Sequence, residues 1–331
     1  MKKQQGLIQK DHRAFPAKFP FYSAQYPVQP IIANVFSGIY NKFRLLRDRH
    51  LRRKGIFMLN ANAPIGVMDA GLGGFTVVRE LQKLLPREDI VYLGEGKYQP
   101  YGNRIEAEIL HLTRQILTFL RGCGVKVVAV ACNTISTLIE QYQPDFDFRI
   151  FSIVQAGADD VARLKPSEVG VLSTMFTAKS GQYARLIREK LPQTKVYAQG
   201  CPWLVRIIED GDFDQARIDT ELRSTLGTLA AAHPSLSSLV LGCTHFPLVA
   251  ENIRRLYPQF TQLINPAASQ ALMVRDYLER EKALRSDGSG SLRICTTSDP
   301  QVYRRMAGVV GLEKISSVEL VTAPTPLEEL A

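Results

Sequence analysis

Two of the five cysteines stand in matching surroundings. Residues 128–134 (VAVACNT) and 239–245 (LVLGCTH) each pass from an apolar stretch through a small residue to Cys and then to short polar residues. The thiols of Cys132 and Cys243 are therefore expected at the ends of buried strands. Each should also lie near the start of a helix, where the dipole and free backbone N–H groups favour thiolate. A lone buried cysteine is ordinarily a small hydrophobe, and that reading is kept for Cys123, Cys201 and Cys295. Two thiols in one kind of setting suit a particular chemistry. Inverting a tetrahedral carbon takes a base on one face and an acid on the other, both within reach of one atom and each able to play either part. His245 lies two residues after Cys243, and Asp69 ends the apolar run 65–68. Asp69 also reads as a cap or turn residue ahead of Gly71, Gly73 and Gly74. His245 reads either as a satisfied core histidine or as an imidazolium beside a thiolate.

The elements that must position these groups are legible as short apolar runs at residues 65–68, 90–93, 127–131, 169–172, 239–241 and 292–294. Apolar apart from Arg293 and rich in Val and Ile, they suit strands covered on both faces. Between them lie amphipathic stretches. Ile105, Ile109, Leu112, Ile116 and Phe119 recur at helical spacing, with Gly122 as a stop. Alternating strands and helices predict an α/β fold with mostly parallel sheets flanked by helices, and such sheets bind ligands beyond the carboxyl ends of their strands. Residues 283–291, containing DGSG, read as an exposed loop.

At 331 residues the chain has room for two domains. No apolar run reaches the roughly 18 residues of a membrane span. The formal charge of +9 is concentrated: residues 1–57 carry 12 Lys and Arg against Asp11 and Asp48, leaving 29 basic and 30 acidic side chains in the rest. A nearly neutral body gives no reason to expect nucleic acid there, although the basic segment itself could contact it. That segment, with Pro16, Pro20, Pro27 and Pro30, is expected to be poorly ordered apart from one short helix near residues 34–51, and reads as an extension or an upstream start ahead of Met58. An odd number of cysteines without a C-x-x-C pair fits free thiols in a reducing, cytoplasmic setting. Cys243 and His245 alone are too few for a zinc site.

From about residue 65 to 300 the chain resembles glutamate racemase of the aspartate/glutamate racemase superfamily. The matching blocks are 65–76 (IGVMDAGLGGFT), Pro100-Tyr101-Gly102, 131–134 (ACNT), 173–177 (STMFT), 201–211 (CPWLVRIIEDG), 241–248 (LGCTHFPL) and 296–300 (TTSDP). The resemblance implies two similar α/β domains, residues 59–154 plus 266–325 and residues 155–265, with the active site in the cleft between them. It implies a cofactor-independent, metal-free enzyme that makes D-glutamate from L-glutamate for peptidoglycan, and a homodimer. Cys132 and Cys243 would be the proton-transfer residues, with Asp69, His245 and Glu209 as polar partners. Substrate would be held by Pro100, Tyr101, Gly102, Asn133, Thr134, Ser173, Thr174, Thr177 and Thr244. Ala70 stands where most such racemases carry Ser, residues 94–99 (GEGKYQ) depart from the usual stretch, and Gln155 replaces a common Glu.

Other chemistries fit less well. A dinucleotide fold is suggested by Gly71, Gly73 and Gly74, but Thr76 stands where the third glycine of the fingerprint belongs. A thiol hydrolase would pair Cys132 as nucleophile with His245 as base and leave Cys243 idle. A racemase-like binding protein, or a racemase for aspartate or another amino acid, is the remaining alternative. No lysine occupies a setting suited to pyridoxal phosphate.

Overall fold

All six apolar runs form strands, and all six lie in sheet interiors. The computed structural model describes residues 59–210 and 214–327; the helix expected near residues 34–51 lies outside them. The ten strands are β1 (Ile65–Asp69), β2 (Ile90–Gly94), β3 (Val127–Val130), β4 (Arg149–Ser152), β5 (Glu168–Ser173), β6 (Lys195–Gly200), β7 (Ser238–Gly242), β8 (Gln262–Ile264), β9 (Leu292–Thr296) and β10 (Ile315–Leu320). They build a six-stranded sheet in the order β10-β9-β2-β1-β3-β4 and a four-stranded sheet in the order β6-β5-β7-β8. Every pairing is parallel. Both sheets belong to one unit of the chain, Asp48–Ala331.

Interior strands need apolar side chains on both faces because helices cover both. β1, β2, β3 and β7 are buried at every residue, each Val or Ile contributing about 1.5–3 kcal/mol. One face of the six-stranded sheet packs under the helices Phe75–Leu84 and Ala267–Arg280, the other under Glu106–Gly122. In the last helix Ile109, Leu112 and Ile116 are buried as their spacing requires. Ile105 is not part of that face; it precedes the helix and is 69% exposed. Gly122 is the final helical residue, one place before the stop assigned to it.

Parallel register brings the strand ends together. Asp69 at the end of β1 is level with Gly94 of β2, and Met68 is level with Val130 of β3, two residues before Cys132. In the other sheet Ser173 of β5 is level with Gly242 of β7, and Cys243 follows directly.

Candidate active site

Cys132 and Cys243 line one cavity of about 30 Å³, one from beyond the end of each sheet. Asp69, Ala70 and the turn Pro100, Tyr101, Gly102 form the wall on the side of the six-stranded sheet, with Asn133 and Thr134 beside Cys132. Thr174, Thr244 and His245 form the opposite wall. Ser173, Thr177 and Glu209 do not line it and stand behind residues that do. Cys201, buried, donates to Glu221 Oε1 at 3.2 Å, while Cys123 and Cys295 belong to the packing around β9; all five thiols are free. Gln155 turns to Asp159 at 3.0 Å and takes no part in the cavity.

The helix-dipole expectation for the thiols needs correction. Cys132 precedes a single helical turn, Asn133–Ser136, and Cys243 is followed by a turn and the 3₁₀ segment Phe246–Val249. Neither sits at the start of a long helix, so local groups replace the macrodipole. Burial pushes the Cys132 thiol well up and nearby Asp69 pushes it further, only partly offset by the amides of Ile135 and Ala70. Cys132 is therefore a thiol at neutral pH. Burial likewise raises Asp69, against the pull of His245 and the Gly74 amide.

On the other wall Cys243 Sγ lies 3.7 Å from His245 Nδ1, and His245 Nε2 is in very short contact with Glu209 Oε1. Burial opposes a charge on His245, but Glu209 and the Cys243 sulfur outweigh it and hold the imidazole well above its usual value. Glu209 is held down in return: burial raises it, and His245 more than compensates. The pairing of Cys132 with His245 that a thiol hydrolase requires is not formed, since both ring nitrogens are engaged elsewhere.

The walls are joined by hydrogen bonds across the cleft. Thr244 Oγ1 donates to Asp69 Oδ2 at 3.3 Å, and Tyr183 OH donates to Asn133 Oδ1 at 2.7 Å. Thr134 Oγ1 lies 3.0 Å from that of Thr174 and 3.4 Å from that of Thr177. Leu72 N and Gln99 Nε2 both donate to Glu209 Oε1, at 3.1 and 2.8 Å. A volume of 30 Å³ holds a water or two and no amino acid.

Gln99 and Val205 line the cavity without having been foreseen. Their residue types carry no chemical signal, because their place depends on a loop and a short helix that meet from different sheets. The glycines after Asp69 have a steric role. A Cβ on Gly73 would lie 2.7 Å from Thr244 Cβ and 2.8 Å from His245 Nδ1. Only glycine lets this backbone approach the opposite wall so closely. Among the described residues no three His, Cys, Asp or Glu side chains converge as a metal site, and no helix is long and apolar enough to cross a membrane.

The fold is shared with known proteins. Residues 66–274 match the Asp/Glu/Hydantoin racemase family. The chain is 34% identical over 259 residues to glutamate racemase 2 of Caldanaerobacter subterraneus subsp. tengcongensis, covering 78% of this chain and 97% of the relative. It superposes with a TM-score of 0.73 and 30% identity on the crystal structure of glutamate racemase from Francisella tularensis in complex with D-glutamate, covering 80% of this chain and 98% of that one. The corresponding values for the Thermus thermophilus glutamate racemase, in complex with β-chloro-D-alanine, are 0.70 and 33%, with 82% and 99% covered. Fold and relatives together define an isomerase, an amino-acid racemase. Within that class the chain belongs to the Asp/Glu/Hydantoin racemase family.

Proposed function

We propose that the protein interconverts L- and D-glutamate without a cofactor, Cys132 and Cys243 acting on opposite faces of the α-carbon, and that it supplies D-glutamate for peptidoglycan. The observation that carries the reading is the shared cavity, with one thiol on each wall and separate polar partners behind each. Cys132 holds its proton at rest and is the first acid. Protonated His245 at 3.7 Å gives counter-charge to Cys243 when that sulfur is the base, and a proton donor when the roles reverse.

Recognition rests on short donors. Asn133 is 2% exposed and its Nδ2 has no hydrogen-bond partner, while Tyr183 fixes its Oδ1. A buried donor without an acceptor is costly, and a substrate carboxylate oxygen would satisfy it. The hydroxyls of Thr134, Thr174 and Thr244 would take the remaining carboxylate oxygens, and Asp69 the ammonium. A carboxylate so bound lowers the cost of negative charge developing at the neighbouring carbon. On this reading residues 59–154 plus 266–325 are the domain of the six-stranded sheet, and residues 155–265 that of the four-stranded one.

The test is incubation with L-glutamate, and separately with L-aspartate, in deuterated water, following optical rotation and isotope at Cα. Loss of rotation with deuterium gain is expected for glutamate. Neither change with glutamate, at enzyme concentrations that bind it, would sink the proposal.

A further inference from the structure

We propose that Gln99 is a positioning residue that clamps Glu209 onto His245 from the opposite wall, so that the relay behind Cys243 is complete only when the cleft is closed. The inference rests on the two-thiol reading above. Glu209 Oε1 is the meeting point of the two walls. His245 Nε2 reaches it from its own side, and Gln99 Nε2 and Leu72 N reach it from the other. Three donors on one carboxylate oxygen fix its position and favour its ionised form. Parting the walls for substrate removes two of the three. Closure then restores them at the moment when Cys243 must exchange a proton.

Gln99 is aimed by its loop. Buried Glu95 accepts Lys97 N and Tyr98 N at 3.1 Å each and Thr297 Oγ1 at 2.7 Å, which anchors the segment just before Gln99. Gly71 leaves room for the contact: a Cβ there would lie 2.8 Å from Gln99 Cδ and 2.7 Å from Glu209 Oε1. The other titratable groups facing Glu209 and His245 are Asp69 of β1, Cys243, Tyr92 of β2 and Tyr303 of the helix Pro300–Val310. A change at Gln99 leaves all of them in place.

The experiment compares the full-length protein with Gln99→Met, which keeps the volume and loses the donor, and Gln99→Glu, which sets a second carboxylate beside Glu209. Both kcat and KM for glutamate are measured across pH, and the His245 imidazole is titrated by nitrogen NMR. Gln99→Met should lower kcat/KM by about 10- to 100-fold, mostly through kcat. The acid limb should move to higher pH as Glu209 protonates more readily, and His245 should titrate at lower pH; Gln99→Glu should lower activity further and move the acid limb further up, while its added carboxylate raises the His245 titration. A Gln99→Met enzyme within twofold of the parent, or one that loses activity with pH profile and imidazole titration unchanged, overturns the clamp. If the parent does not racemise glutamate, the two-thiol reading fails instead, and the imidazole titration still decides whether Gln99 holds the Glu209–His245 pair.

Discussion

Glu209→Gln isolates the charge on the carboxylate behind His245, since the amide keeps the volume and a carbonyl for the Leu72 N–H. In the parent, Glu209 and the Cys243 sulfur outweigh burial and keep His245 protonated. Opposite charges about 4 Å apart attract by roughly 4 kcal/mol at the effective dielectric of about 20 that suits protein sites. The Glu209 side chain is 18% exposed, so some of that is screened. A loss of about 2–3 kcal/mol corresponds to a fall of roughly 30- to 150-fold in kcat/KM. The sign of the pH effect follows from the same balance. His245 is raised in the folded protein, so its charged form is present at low pH and lost as pH rises through the folded value; without Glu209, burial is opposed by less and that loss comes at lower pH. The alkaline limb of kcat/KM should therefore move toward neutrality. The pair also stabilises the fold in a window: Glu209, depressed from its ordinary 4.5, contributes above that value and ceases to contribute as pH falls through its folded one. Racemisation rates from pH 5 to 10, with thermal unfolding as a control for folding, test this. A Glu209→Gln enzyme within threefold of the parent and with an unmoved alkaline limb would refute the charge argument.

The cysteine substitutions carry a constraint from symmetry. L- and D-glutamate have equal free energy, so Cys132→Ser and Cys243→Ser must each lower kcat/KM equally in both directions, by at least about 10³-fold if the thiols are the two bases; either variant retaining parental turnover excludes that thiol, and Cys123→Ser should leave activity intact. Each serine variant should still allow one enantiomer, and not the other, to exchange its α-hydrogen slowly with deuterated solvent without inversion. Gly73→Ala forces Thr244 and His245 back by several tenths of an ångström, and should cost about 1–3 kcal/mol of stability and most of the activity; a fully active, equally stable variant would show that the approach is not needed. Ala70→Ser places a hydroxyl beside Cys132, where Ala70 is 7% exposed on the cavity wall, and should lower KM for glutamate several-fold; an unchanged KM would place the missing hydroxyl outside substrate reach.

What the sequence revealed of the fold divides along the sheets. Each strand read from an apolar run is interior, and the four strands that escaped notice, β4, β6, β8 and β10, are the edges of the two sheets. β6 and β10 have no fully buried residue, and β8 is buried only at Ile264. An edge strand has one neighbour and poorer cover from helices, so its residues need not be apolar on both faces and its pattern merges with that of the loops. The same physics explains the site. Cys132 and Cys243 follow interior strands and Asp69 ends one, so their positions could be inferred from the runs before them. Gln99 sits mid-loop and Val205 in the short helix Leu204–Glu209, and both meet the cavity only because two sheets converge.

Two polar residues at strand ends cap a helix or turn and also reach across the cleft. Thr174 Oγ1 caps the helix Met175–Ser180 by accepting Thr177 N at 3.3 Å, and the same hydroxyl meets Thr134 across the cleft. Asp69 Oδ2 accepts Gly74 N at 2.8 Å in the turn before the helix Phe75–Leu84 and also receives Thr244. A side chain that caps where a parallel strand gives way to a helix necessarily stands at the carboxyl edge of the sheet, which is where the ligand binds. In the closed site these groups satisfy one another, so a bound dicarboxylate must offer acceptors at least as good as those it displaces. Two carboxylates in place of hydroxyls meet that condition, because charge-assisted hydrogen bonds are stronger than those between neutral groups. On the proposed function, walls closing around a substrate would therefore favour charge at both of its ends before any proton moves.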